Sequence, residues 1–203
     1  YVPLMFLSFQ VDYLIAAVNP WFYHAHSLLI HLITSLCVFY LLFRITGKHL
    51  SALLVGLVFL VHPLNTEVVA WASARKDLLA GLFFVWTLIA YIQYRETENR
   101  RWLHGSLVAF ACALLGKPSV IMLPFLLLTV DWYQRRPLNI ANVVAKIPYF
   151  GISVAIGIIG LFGNTQVTQI QSSSLLEKYL MANKSIWFYL HSFVWPKRLG
   201  VIY

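Results

Sequence analysis

Residues 61–78 read VHPLNTEVVAWASARKDL, placing His62, two carboxylates (Glu67, Asp77) and two cations (Arg75, Lys76) between hydrophobic runs. Charge set against a membrane is costly and marks functional positions. Arg75 and Lys76 could hold a lipid phosphate or pyrophosphate, the arginine through paired hydrogen bonds. Asp77 would suit the start of the next helix, where unpaired N–H groups carry partial positive charge. The same four charged residues could instead form an interfacial salt-bridge network that only fixes topology.

Lys117 is a second cation of this kind, held in the tight Gly116-Lys117-Pro118 turn. Alone it reads equally as a lysine snorkelling to the interface. Joined to Arg75 and Lys76 it makes a three-cation face suited to an anion. His24, Ser27 and His31 recur at helical spacing and could bond to neighbouring helices or line a polar cavity. No cysteine or carboxylate shares that face, so no metal site is expected. His62 abuts the charged segment but also fits as a helix-end residue beside Pro63. Asp12 is the only charged side chain among the first 23 residues and has no partner at fixed spacing. P-loop, G-x-S-x-G, H-E-x-x-H and C-x-x-C patterns are absent.

Membrane helices must position these residues. Of 203 residues, 60% are hydrophobic and 11% charged, and mean hydropathy is +0.74. Soluble domains run at about 45–50% apolar and about 25% charged. His24–Arg44 supplies a clear span, rising roughly 32 Å against a core of about 30 Å. Leu50–Val61 is shorter and stops at His62-Pro63. Asp77–Tyr94 is a second full span. Leu103–Leu115 and Ser119–Trp132 flank the Lys117 turn, with Pro124 expected to kink the latter. Val143–Phe162 carries Gly151, Gly157 and Gly160, small residues that favour close packing. Residues 1–23 suit an interfacial helix, 164–174 a loop, and 175–195 a re-entrant or interfacial helix. Pro63 ends one helix, and Asn65 or Thr66 can cap a short helix over 66–74. On that helix Glu67, Trp71 and Arg75 share a side. The fold class is therefore all-α, a polytopic transmembrane bundle of about six or seven spans plus interfacial helices. Residues 1–203 form a single transmembrane domain, read as a piece of a longer chain.

Net charge is +8, but the cations sit in clusters between apolar runs, which argues for membrane topology rather than nucleic acid. One set of loops holds eight of them: Arg44, Lys48, Arg95, Arg100, Arg101, Arg135, Arg136 and Lys146. The alternate loops hold three: Arg75, Lys76 and Lys117. The positive-inside rule puts the eight in the cytoplasm and turns 62–77 to the periplasm or a lumen. An outward Arg-Lys pair runs against that rule, which favours the anion-site reading over the salt-bridge network. Cys37 and Cys112 lie inside apolar segments and give no disulfide framework.

NPWFYHAHSLLIHL, HPLNTEVVAWASARKDLLAGLFF, GKPSVIMLPFLLLTVDWY and the closing VWPKRLGVIY together resemble the membrane portion of the transmembrane-and-tetratricopeptide-repeat proteins, most of all their bacterial relatives. The resemblance covers nearly the whole chain and implies a C-fold glycosyltransferase in the bacterial inner membrane. Its donor would be a polyprenyl-phosphate sugar and its acceptor a protein hydroxyl, as in the family's O-mannosyltransferases. It implies that a carboxylate deprotonates the acceptor while cations stabilise the leaving lipid phosphate. Arg75, Lys76 and Lys117 match the phosphate role; His62, Glu67 and Asp77 would line the site. The family's catalytic acid belongs to the first outward loop, upstream of Tyr1, and Asp12 matches a later position. Two alternatives stand beside the enzyme: a non-catalytic polytopic scaffold or lipid-binding subunit, and a transporter, for which the spans offer little polar path.

Overall fold

Local chemistry sets where the longest helix begins and ends. Asn19 Oδ1 accepts the backbone N–H of Trp21 at 3.1 Å, Pro20 opens the first turn, and Gly47 closes the far end at φ 68°. Proline is pre-organised for a first turn, and glycine reaches the left-handed region without a Cβ clash. The computed structural model describes residues 2–136, 140–163 and 175–195, and every regular element among them is helical. These are α1 (Pro3–Ala16), α2 (Pro20–Thr46), α3 (His49–Val61), α4 (Leu64–Ala70), α5 (Arg75–Thr97), α6 (Arg100–Gly116), α7 (Leu123–Tyr133), α8 (Ile140–Val144), α9 (Ile147–Gly163) and α10 (Leu175–Val194). The all-helical class expected from composition is present. Among the described residues, three helices are long and apolar enough to cross a bilayer: Pro20–Thr46, Ala72–Thr97 and Asn142–Gly160. A fourth crossing is possible if α3 and α4, bent by 57°, act as one.

Side-chain contacts give the topology. Ser27 near the start of α2 meets Arg75 at the start of α5, and Arg44 near the end of α2 meets Glu96 near the end of α5. Those helices therefore run parallel. Lys117, just beyond α6, returns to Asp77, so α6 is antiparallel to α5. Asp131 of α7 reaches Tyr91, and Lys146 before α9 reaches Asp131. The bundle thus has two polar ends. One gathers Asp12, His26, Arg75, Asp77 and Lys117; the other gathers Arg44, Arg95, Asp131, Arg136 and Lys146.

Between the ends lies a core of Leu41, Leu88, Tyr91, Phe110, Leu123 and Tyr149 with their neighbours. A polar rung crosses it: Tyr149 OH donates to Ser106 Oγ, and Ser106 Oγ donates to the Thr87 carbonyl, both at 2.9 Å. Such bonds tie helices where lipid supplies no hydrophobic drive. Gly116 lets α6 close on α5, since a Cβ there would lie 3.1 Å from the Ala80 nitrogen. The outer faces are apolar, with Leu50, Leu54, Leu57 and Val58 of α3 exposed, as lipid contact requires.

Three local expectations change. The helix expected over 66–74 spans 64–70 and breaks at Trp71, whose φ −90° and ψ 120° are extended; a 3₁₀ turn at 72–74 then leads into α5. Neither Asn65 nor Thr66 caps it, because Asn65 Nδ2 instead donates to the Phe59 carbonyl at 2.6 Å, satisfying the end of α3. Pro124 does not kink a continuous span. A 3₁₀ segment at 118–122 precedes it, and Pro124 sits in the first turn of α7, where its missing N–H costs nothing. Of the three α9 glycines, Gly157 meets a neighbour, with Ile121 Cδ1 at 3.2 Å from a built Cβ; Gly151 and Gly160 have nothing within 4 Å. The loop expected over 164–174 lies outside the described residues.

Candidate functional site

The extended Trp71 turns Arg75 into the protein. Arg75 is fully buried and faces fully buried Asp12 of α1, to which its Nη1 donates. Its Nε donates to Ser27 Oγ at 3.2 Å, Nη1 also to Ser8 Oγ at 3.4 Å, and Nη2 to the Tyr23 carbonyl at 2.5 Å. The guanidinium plane packs against Phe9 at 4.7 Å and Tyr23 at 5.7 Å. A buried ion is tolerated when its charge and remaining donors are both satisfied, and Arg75 meets both conditions. The sequence expectation set Arg75 on an open phosphate-binding face; the structure points it inward.

Asp12 carries a second partner. His26 Nδ1 lies 2.5 Å from its Oδ1, and the His26 side chain is 29% exposed. A carboxylate accepting at Nδ1 fixes the proton there and leaves Nε2 as the basic nitrogen. The arrangement can orient an imidazole and receive a proton. Beside it runs a cleft of about 530 Å³ lined by Phe6, Phe9, Gln10, Tyr13, Leu14 and Tyr23. Phe9 and Tyr23 are therefore shared between the arginine and the cleft wall.

The other expected residues share this end of the bundle. Asp77 lies in the first turn of α5 and receives a hydrogen bond from Lys117 Nζ. Both are partly exposed, so the pair faces solvent or headgroups rather than the core. Lys76 and Glu67 are half-buried, with no ion pair or side-chain hydrogen bond among the described residues. His62 looks elsewhere: its Nε2 donates to the Phe193 carbonyl at 3.0 Å and its ring stacks on Phe193 at 5.2 Å, fastening α10. Asp77 and Lys117 thus pair at the start of α5, where Lys76 adjoins Asp77 in sequence, while Arg75 is turned inward to Asp12 and His62 is held against α10.

Of the histidine face, Ser27 is engaged by Arg75, His31 Nε2 donates to the Leu60 carbonyl at 3.0 Å, and His24 is exposed. His26, Ser8, Phe9 and Tyr23 were not anticipated. One signal was present: an isolated acid in an apolar segment, Asp12, needs a cation from elsewhere in the chain.

Residues 3–161 match the family described as dolichyl-phosphate-mannose-protein mannosyltransferase. Protein O-mannosyl-transferase TMTC2 of Homo sapiens is 31% identical over 157 residues, covering 72% of this chain and 18% of that protein. The Xenopus laevis counterpart is 28% identical over the same length and the same shares. Protein O-mannosyl-transferase TMTC4 of Mus musculus is 38% identical over 121 residues, 52% of this chain and 16% of that protein. The chain thus spans less than a fifth of the length of these relatives. No solved structure matches it.

Proposed function

Because the chain belongs to the dolichyl-phosphate-mannose-protein mannosyltransferase family, we propose that it forms part of a membrane glycosyltransferase. That enzyme moves a sugar from a polyprenyl-phosphate carrier to a protein hydroxyl on the extracytoplasmic side. The carrying observation is the Lys117–Asp77 pair at the start of α5, next in sequence to Lys76 and to a buried Arg75 whose aromatic neighbours line a cleft. The relatives' names as protein O-mannosyl-transferases support the same chemistry. The chain is integral to the membrane, and in this reading it belongs to a C-fold bundle of about six or seven spans. The 62–77 segment then faces the periplasm across a bacterial inner membrane.

Transfer breaks the bond between the anomeric carbon and the lipid phosphate, and negative charge grows on that phosphate. In this reading Lys76 and Lys117 meet it, since preorganised cations stabilise charge that develops during reaction. Asp77 holds Lys117 in position. Arg75 anchors the segment through its buried pair with Asp12. Glu67 and the neighbouring 62–77 backbone line the approach. The general base that takes the acceptor proton is not assigned to a residue of this chain.

The test is a Lys76→Gln/Lys117→Gln double variant of the full-length protein, assayed with polyprenyl-phosphate mannose and a peptide acceptor. Losing one such stabilising group costs about 10²–10³ in rate, so the double variant should fall at least a hundredfold while still inserting into membranes. Transfer at the native rate would overturn the phosphate assignment. A scaffold without activity would show no transfer even in the native protein.

A further inference from the structure

At the opposite end of the bundle three arginines share a cavity that sugar transfer does not use. It measures about 280 Å³ and is lined by Tyr94, Arg95, Glu98, Arg100 and Arg136. Three cations and one carboxylate leave the lining two positive charges in excess. Behind it, fully buried Asp131 cannot balance them. Its Oδ2 is taken by Lys146 Nζ and by Tyr91 OH, the latter at 2.7 Å. Its Oδ1 lies 3.5 Å from Arg95 Nε and 4.0 Å from Arg136 Nε, beyond good hydrogen-bond geometry. Arg95 Nε and Asp131 Oδ1 are both buried without a hydrogen-bond partner. Glu96, the other nearby acid, is engaged by Arg44.

Arg100 sharpens the point. It opens α6, whose first turn holds no acid. A cation at the positive end of a helix works against the backbone dipole, so helix stability does not account for it. Arg136 is held in place: Nη1 donates to the Arg95 carbonyl at 2.8 Å and Nε to Gln134 Oε1 at 3.1 Å. Exposed Trp102, Trp132 and Tyr133 flank this end, as aromatic residues do at the headgroup level of a bilayer. The cavity falls just below the range of about 300–1,000 Å³ typical of whole small-molecule sites. Its size suits a headgroup rather than a whole lipid.

We propose that Arg95, Arg100 and Arg136 bind a phosphate group at this end of the bundle, carried by an anionic phospholipid or by a free phosphate. Basic pockets between membrane helices recognise anionic headgroups in this way, and arginine suits the geometry of phosphate oxygens. The occupant would neutralise the excess charge beside Arg95 and tie the α5–α6 turn to the end of α7.

The test uses full-length protein in neutral detergent, titrated separately with short-chain phosphatidylglycerol, short-chain phosphatidylcholine and inorganic phosphate, with binding read by thermal shift and native mass spectrometry. Phosphatidylglycerol should bind at least tenfold more tightly than phosphatidylcholine. Arg100→Gln and Arg136→Gln should each weaken it at least tenfold, and Arg101→Gln, outside the cavity, should not. Inorganic phosphate binding with the same arginine dependence assigns the site to a soluble phosphate. If neither anion binds, if phosphatidylcholine binds as well as phosphatidylglycerol, or if Arg100→Gln binds within tenfold of the native protein, the proposal fails. Arg100 is exposed and makes no described side-chain bond, so its variant folds even if Arg136→Gln does not.

Discussion

Replacing Asp12 by Leu removes the charge that neutralises Arg75. Both side chains are fully buried, and four of the hydrogen bonds around the guanidinium come from α1 or α2. Breaking a buried ion pair from one side costs about 3–5 kcal/mol, because the remaining charge is left unpaired. For a chain of this size each kcal/mol shifts the melting temperature by about 2–4 °C, so the variant should melt about 6–20 °C lower. Arg75→Met should cost a similar amount by stranding Asp12 and His26. The double variant Asp12→Leu/Arg75→Met buries no unpaired ion and should recover at least half of either loss. The measurement is thermal unfolding of all four proteins in one detergent, followed by intrinsic fluorescence and by size exclusion. Single variants that melt within about 2 °C of the native protein, or losses that simply add, would refute the buried pair.

Three further expectations concern buried contacts. Gly116→Val places a side chain against the Ala80 backbone, where rigid atoms cannot give way, so overpacking should cost about 1–3 kcal/mol in thermal unfolding. Asp131→Asn leaves buried Lys146 without a counter-charge and should cost about 3–5 kcal/mol, whereas Tyr91→Phe, which loses one bond to the carboxylate, should cost only about 1.5–3 kcal/mol.

The spans were legible because run length and polarity are local properties. The helices over 20–46 and 75–97 contain the segments read as 24–44 and 77–94. Cation clustering was legible too, and the loop cations Arg44, Arg95, Arg136 and Lys146 do gather at one end. The break at Trp71 was not legible. Every residue over 66–75 tolerates a helix, and the bend at Trp71 goes with the pairing of Arg75 to an acid 63 residues earlier. No periodicity encodes a contact of that range. His26 was hidden for a related reason: His24, Ser27 and His31 fit a helical stripe, while His26 gains its importance from Asp12 on another helix. The meeting of Asp77 and Lys117 follows from the antiparallel α5–α6 pairing, which the tight turn after Gly116 made readable.

The bond between Asp12 and Arg75 also sets an order of assembly. Synthesis delivers the acid long before its cation. A lone carboxylate within a bilayer costs about 2.5–3.5 kcal/mol on the insertion scale, so α1 gains by waiting near water while α2, α3 and α4 enter. Arrival of α5 brings the arginine, and only then can α1 settle against the others. Arg75, the last of these polar partners to emerge, thus locks in a segment made well before it, and a chain halted before residue 75 would leave α1 unfastened.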